Sequence, residues 1–212
     1  MKLLISDEHR IKTLTVPKWD IDKFELLEKF ASTDDTRKFL CVIYWDYTAK
    51  CLVSTDGYRL IKVDGTKLQL IDQFPVDHNA YLEYNKGILY MYAENTFGAG
   101  GFPNWTRVIP KEEQLMTNGV KYQLYKQDKK HKSSASSNMG IALILVDTGI
   151  ALNIQFLADL MGWEWEVWVA KEDSTRKTVV FTNDFATAII QPFAHDQNKP
   201  MAKEPAKEET AE

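Results

Sequence analysis

The sequence predicts an α+β fold in which helices pack against antiparallel sheets. Near the N-terminus, one amphipathic segment with helical periodicity is followed by several short segments rich in β-branched and aromatic residues, with turn signals between them. The 212 residues are 44% hydrophobic and 12% aromatic, which is enough apolar surface for packed cores in one large or two small domains.

The first helix is predicted over residues 19–32. Its polar face is charged, Asp20 is placed to cap its N-terminus, and a Ser-Thr-Asp-Asp run at 32–35 breaks the pattern. The apolar residues that recur at helical spacing are Ile21, Phe24, Leu27 and Ala31.

Short strands separated by turns follow this helix. The connection at 68–79 is short and contains Pro75, so no second helix is expected there. Residues 97–101 are glycine-rich and are expected to be a flexible loop. The predicted strands lie at 39–45, 50–54, 58–63, 80–84 and 87–93, with Asn85-Lys86-Gly87 as a hairpin turn.

The second half predicts a short helix at 153–161 among further strands. Alternation in one of these strands places Trp163, Trp165 and Val167 on the same face. Residues 126–140 are polar enough for a long loop. The strands lie at 141–146, 163–169, 178–182 and 186–192. We therefore expect an N-terminal domain at 1–112, a C-terminal domain at 113–196 and a disordered charged tail at 197–212.

Composition restricts the class of protein. Twenty-six Lys and Arg against thirty Asp and Glu give a net charge of −4, which argues against coating nucleic acid by bulk electrostatics. No apolar run approaches the roughly 20 residues of a membrane helix, and the first seven residues do not form a signal peptide. We expect a cytoplasmic protein without a membrane partner, and Cys41 and Cys51 as reduced thiols within strands.

The sequence contains no pattern typical of a catalytic or metal site. The four histidines lack metal-ligand spacing, and neither a Cys-x-x-Cys nor a His-Glu-x-x-His motif occurs. Asp56, before Gly57 in a predicted turn, is better explained as an acceptor for backbone amides than as a general base. We expect a protein that is not an enzyme and binds no cofactor or metal.

Two segments together carry a family resemblance. Residues 52–60 are LVSTDGYRL and residues 102–110 are FPNWTRVIP. In this order they resemble the bacterial DNA polymerase III β subunit, the sliding clamp, in which a T-D-G-[HY]-R-L turn precedes an F-P-x-[YW]-x-R-V-[LI]-P segment. The resemblance covers most of 11–193 with a gap, and the clamp's first domain has no counterpart. A shortened clamp of this kind would suit a phage or mobile element.

The resemblance implies a groove that binds short peptides. Leu60, Val108 and Ile189 would form an apolar cup, and Arg59 and Arg107 would orient peptide carbonyls or carboxylates. Gln191 and Phe193 depart from the family pattern, which would change the peptide preference. The alternative is that the apolar residues belong to the ordinary core. The positions that match the family's groove are Thr55, Gly57, Tyr58, Arg59, Leu60, Pro103, Arg107, Val108, Ile189, Gln191, Pro192 and Phe193.

The resemblance also implies contact with the phosphates of duplex DNA. The predicted helix at 153–161 has no cation and one acid, Asp159, whereas residues 121–132 have a net charge of +4. That basic segment is either a nonspecific phosphate contact or a solubilising loop. The candidate lysines are Lys23, Lys29, Lys121, Lys126, Lys129, Lys130 and Lys132.

The implied function is that of a processivity factor. Such a clamp tethers a DNA polymerase to duplex DNA, and peptides of the polymerase and of the clamp loader share its groove. One chain has too few modules to surround a duplex, so a homo-oligomeric ring is expected. The alternative is a monomeric clamp mimic or interaction protein that binds the same peptides without encircling DNA.

Overall fold

The computed structural model describes residues 5–110, 152, 154–169 and 178–191. Within these residues the chain forms a nine-stranded antiparallel sheet and two α-helices, which confirms the predicted α+β class. The elements are β1 (Arg10–Thr15), α1 (Lys18–Phe30), β2 (Ile43–Asp46), β3 (Cys51–Thr55), β4 (Arg59–Asp64), β5 (Ala80–Asn85), β6 (Ile88–Ala93), α2 (Ile154–Leu160), β7 (Glu166–Val169), β8 (Val179–Thr182) and β9 (Ala186–Ile190).

The sheet order brings the two halves of the chain together side by side. The strands run β1-β6-β5-β2-β3-β4-β9-β8-β7, so the first six strands form one end of the sheet and the last three form the other. The halves meet where β4 pairs with β9, from Arg59 opposite Ile190 to Val63 opposite Ala186. The predicted domain boundary near residue 112 lies outside the described residues and stays a prediction.

The larger core lies between α1 and one face of the sheet. Phe24 and Leu27 of α1 are fully buried there against strand residues such as Leu52, Ile61 and Ala188. Successive residues of a strand point to opposite faces of the sheet. The residues next to Leu52, Ile61 and Ala188 in their strands therefore lie on the face away from α1, which we call the second face. One continuous sheet therefore has two separately packed sides.

Asp20 is buried but does not cap α1 as predicted. Pro17 occupies the N-cap position, and no side-chain capping bond forms. The Asp20 carboxylate instead accepts a hydrogen bond from Gln69 N at 2.9 Å and pairs with Lys23 at 3.2 Å. The acid fastens the 65–73 connection to the helix, a long-range contact that local sequence does not reveal.

Three further predictions about local structure were wrong. The strand expected at 39–45 begins only at Ile43, because Asp35–Leu40 forms a 3₁₀ helix that is kinked at Arg37 and that Asp34 caps by accepting from Thr36 N. Cys41 therefore lies outside a strand, although both cysteines are free. Residues 97–100 of the glycine-rich stretch expected to be a flexible loop belong to another 3₁₀ helix, Glu94–Gly100.

Other predictions about local structure are confirmed. The connection at 68–79 contains no α-helix. Lys86 and Gly87 both have positive φ, at 48° and 84°, as a type I′ hairpin turn requires. Trp163, Trp165 and Val167 all contact the larger core, although β7 begins only at Glu166. The strand predicted at 141–146, the loop at 126–140 and the tail at 197–212 lie outside the described residues.

No helix in the described ranges is both long enough and apolar enough to cross a bilayer.

Gly65 lies against the backbone of a neighbouring turn, and this close packing can be tested. A Cβ atom at Gly65 would lie 2.7 Å from the Lys50 carbonyl oxygen and 2.8 Å from the Trp45 ring. We expect Gly65→Ala to lower the free energy of unfolding by about 1–3 kcal/mol, because both neighbours must move. Urea denaturation followed by tryptophan fluorescence measures this.

The matched control is Gly101→Ala, whose new methyl group would meet its nearest neighbour, the Tyr81 hydroxyl, at an ordinary 3.6 Å. Equal stability of the two variants would contradict the packing around Gly65.

Candidate functional site

The turn between β3 and β4 is fixed by its own side chains. Asp56 Oδ1 accepts hydrogen bonds from Tyr58 N at 2.9 Å and Arg59 N at 3.0 Å, which confirms its predicted role. The Thr55 hydroxyl donates to Arg59 O at 2.6 Å and accepts from Gly57 N at 3.1 Å. Gly57 has a φ of 95°, which favours glycine. The turn thereby presents Tyr58 to solvent, with 66% of its surface exposed.

Leu60 and Ile189 face each other across the β4–β9 pair, on the sheet face opposite α1. They are only 4% and 2% exposed. They belong to an apolar group that we call the Trp105 cluster, which consists of Cys51, Val53, Leu60, Trp105, Val180 and Ile189. Burial raises the pKa of the Cys51 thiol to about 12, so this thiol stays protonated within the cluster at neutral pH.

Residues 102–109 cover this second face and are held there by specific contacts. The Phe102 ring stacks on Tyr44 with centroids 4.6 Å apart, and Phe102 N donates to the Tyr81 hydroxyl at 2.8 Å. Trp105 Nε1 donates to Asp46 Oδ2 at 3.0 Å. The segment therefore attaches to β2 and β5 through both stacking and hydrogen bonds.

The Asp46 carboxylate is well suited to hold Trp105. Burial alone would raise its pKa, but hydrogen bonds from Ala49 N, the Thr48 hydroxyl and the Trp105 indole bring the pKa below its ordinary value. Asp46 consequently stays charged and remains a strong acceptor at neutral pH.

The structure brings the three segments predicted to line a groove onto one face, but the apolar cup differs from the prediction. Leu60 and Ile189 form a buried floor, whereas Val108 is 40% exposed beside Ile109, which packs on the Trp105 cluster. Gln191 N donates to Tyr58 O at 3.1 Å, which ties β9 to the turn. Among the other predicted residues, Thr55 is buried, Pro103 and Arg107 are exposed, and Pro192 and Phe193 lie outside the described residues.

Arg59 does not join the other predicted groove residues. As the neighbour of Leu60 in β4, it points to the opposite face of the sheet. There it pairs with Asp56 at 2.9 Å and with Asp159 of α2, and its Nη2 donates to Lys29 O at 2.6 Å. These internal contacts occupy the guanidinium that was expected to orient a peptide.

Two of the candidate lysines, Lys23 and Lys29, lie within the described residues, and both belong to α1. Lys23 Nζ donates to Trp19 O at 2.9 Å and pairs with Asp20, so its charge is neutralised within the helix. Lys29 is exposed. The exposed charged positions of α1 have a net charge of −1 and are Lys18, Asp22, Glu25, Glu28 and Lys29. The five candidate lysines in 121–132 lie outside the described residues.

Sequence reasoning missed two residues next to the candidate site. Trp105 lies inside a recognised motif, but only the fold reveals that it belongs to the same buried cluster as Leu60. Arg37 is half-exposed, with Nη1 3.3 Å from the position that a Cβ of Gly57 would occupy. Its contact with the turn depends on the 3₁₀ helix at Asp35–Leu40, for which no sequence signal was recognised.

The side chains on the second face are suited to binding a ligand. It combines a buried apolar floor with a border at which Tyr58, Val108, Arg37 and Arg107 are exposed and Gln191 is partly buried. In the described part of the chain, no group of three or more His, Cys, Asp or Glu side chains is arranged to hold a metal ion.

The sequence matches no protein-family model and no curated protein significantly. Several solved structures are similar at low identity. The DNA polymerase III beta chain of Streptococcus pneumoniae is 13% identical, with a TM-score of 0.48, over 91% of this chain and 66% of that one. The beta sliding clamp of C. crescentus is 12% identical, with a TM-score of 0.47, over 91% and 67%.

The Helicobacter pylori beta clamp, solved with a DNA ligase peptide, is 11% identical, with a TM-score of 0.47, over 91% of this chain and 67% of that one. This chain therefore spans about two thirds of the length of the clamps that it matches.

The division between buried floor and exposed border predicts different effects on stability. We expect Leu60→Ala to lower the free energy of unfolding by about 2–4 kcal/mol, because it leaves a cavity in the Trp105 cluster. Val108→Ala should change it by less than about 0.5 kcal/mol, since Val108 is 40% exposed. Urea denaturation of both variants measures the difference, and a Leu60→Ala variant as stable as the wild type would contradict the buried floor.

Proposed function

We propose that the protein binds short apolar peptide segments of DNA replication proteins, at the border of the second sheet face. One observation carries this proposal. Three segments far apart in sequence, at 52–60, 102–110 and 186–191, meet in the Trp105 cluster and its surroundings. A preformed surface of this kind lowers the entropic cost of binding, because little must be ordered when the peptide arrives.

The buried and exposed residues have different roles in this proposal. Leu60, Ile189 and Trp105 keep the surface rigid, while Val108 and Tyr58 offer apolar area to the ligand. A peptide side chain that is fully buried there would contribute about 1.5–3 kcal/mol. The border residues Arg37, Arg107 and Gln191 would orient peptide carbonyls or a carboxylate.

The expected partners are peptide segments of a DNA polymerase and of clamp-loader proteins. The resemblance of 52–60 and 102–110 to the clamp motifs supports this class of partner, because those motifs line the peptide groove in that family. An interaction protein that does not encircle DNA fits the charge of α1 best. The exposed charges of this helix sum to −1, which gives no net attraction to a phosphate backbone.

A ring-forming DNA clamp and processivity factor is the second candidate function. The observation that favours it is the pair of sheet ends, β1 and β7. Within the described residues, β1 pairs only with β6, and β7 only with β8. Strands with an unpaired edge are able to pair between copies of the chain in a head-to-tail ring. Encirclement of DNA would then depend on cations such as those of 121–132.

A single substitution at the exposed border tests peptide binding. We expect Val108→Asp to weaken binding roughly tenfold to a hundredfold, because a carboxylate replaces an apolar contact worth about 1.5–3 kcal/mol. The probe is a fluorescein-labelled pentapeptide with two leucines and a C-terminal phenylalanine, and fluorescence anisotropy measures its dissociation constant.

The matched control is Val76→Asp, which changes a valine that is 88% exposed in a different loop. This variant should bind like the wild type. Equal affinities of Val108→Asp and the wild type, or no binding by the wild type at micromolar concentration, would contradict the proposed site.

Light scattering with and without nicked circular DNA distinguishes a monomeric interaction protein from a ring-forming clamp. We expect a particle near the 24.4 kDa mass of one chain that does not remain on the circles during gel filtration. An oligomer that stays on the circles and is lost after the DNA is cut once would contradict this expectation and establish the clamp. The monomer and the DNA-encircling oligomer should bind the peptide equally well.

A further inference from the structure

Arg59 lies where three elements meet on the helical side of the sheet. Its Nε donates to Asp56 Oδ2 in the turn at 2.9 Å, and its Nη2 donates to Lys29 O in the last turn of α1 at 2.6 Å. Its Nη1 donates to Asp159 of α2. A cation is also favourable at this position because the C-terminal end of a helix carries partial negative charge.

The surroundings of Arg59 strengthen these bonds. The guanidinium contacts the rings of Phe30 and Phe156, whose centroids are 4.7 Å and 4.5 Å from Cζ. The side chain is nearly buried. Low local polarity strengthens hydrogen bonds to a charged group and increases the cost of losing one. Lysine lacks the planar fork that allows three partners to be held in fixed directions.

Asp56 connects this network to the turn. One of its carboxylate oxygens accepts from Arg59 Nε, and the other accepts from the backbone N–H groups of Tyr58 and Arg59. The orientation of Asp56 therefore depends on Arg59, and that of Arg59 depends on its partner in α2. Gln191 N, which donates to Tyr58 O, extends the connection to the end of β9.

We propose that Asp159 and Arg59 are positioning residues, whose ion pair couples α2 to the turn and so fixes Tyr58 at the border of the second face. Neither side chain contacts the peptide in this arrangement. Asp159, the one acid of α2, supplies the link to the second half of the chain. The effect on affinity rests on the proposed function, whereas the effect on the turn does not.

The test compares Asp159→Asn with Asp159→Glu and with Asp184→Asn as a matched control at an exposed aspartate. Loss of one charge-assisted hydrogen bond predicts amide exchange at Tyr58 and Arg59 about tenfold faster in Asp159→Asn, measured by NMR. The amide of Val53 in β3 should exchange as in the wild type. Asp159→Glu, which restores a carboxylate, should recover most of the protection, and Asp184→Asn should leave it unchanged.

The labelled pentapeptide supplies the second measurement. We expect about tenfold weaker binding by Asp159→Asn and recovery by Asp159→Glu. Faster exchange together with a wild type that binds no peptide would support the coupling and contradict the proposed function. Unchanged exchange at Tyr58 in Asp159→Asn would overturn the coupling, whatever the affinity.

Arg59→Lys gives an independent check if Asp159→Asn folds poorly. It keeps the charge but cannot reach three acceptors, so exchange at Tyr58 should again be faster than in the wild type. Protection equal to that of the wild type in this folded variant would overturn the proposal.

Discussion

The pairing of β4 with β9 is the contact on which both faces of the molecule depend. It joins strands that are more than a hundred residues apart in sequence, and it sets Ile189 opposite Leu60 and Ile190 opposite Arg59. A shift of one residue in this register would turn every side chain of β9 to the other face. The Trp105 cluster would then lose Ile189, and the larger core would lose Ile190.

Because strand residues alternate, one short stretch of β4 serves two different purposes. Arg59 faces the helices and holds α1, α2 and the turn together through charged hydrogen bonds. Leu60 faces the other way and forms part of the floor under residues 102–109. Tyr58, at the tip of the turn, is exposed between these two sides. The fold therefore places an exposed aromatic side chain next to a buried apolar cluster, and the proposed peptide binding depends on this placement.

Local chemistry predicted the turn and most of the elements. The Asp56-Gly57 sequence predicted the backbone hydrogen bonds that Asp56 accepts in the turn. The alternation of apolar residues at 163–167 predicted that Trp165 and Val167 face the core. The same alternation separates Arg59 from Leu60, a consequence that the grouping by motif overlooked. The pairing of Arg59 with Asp159 spans 100 residues, so no local pattern could predict it. The capping expectation for Asp20 failed for a similar reason, because its partner at residue 69 is distant in sequence.

The account rests on the convergence of three segments on one face, and nuclear Overhauser effects measure that convergence directly. We expect cross-strand effects between the backbones of Leu60 and Ile189 and between those of Lys62 and Thr187. The Trp105 indole protons should show effects to methyl groups of the Trp105 cluster. Effects between Thr55 and Leu60 in the β3–β4 hairpin serve as the internal control. Presence of the hairpin effects without those between β4 and β9 would contradict the account.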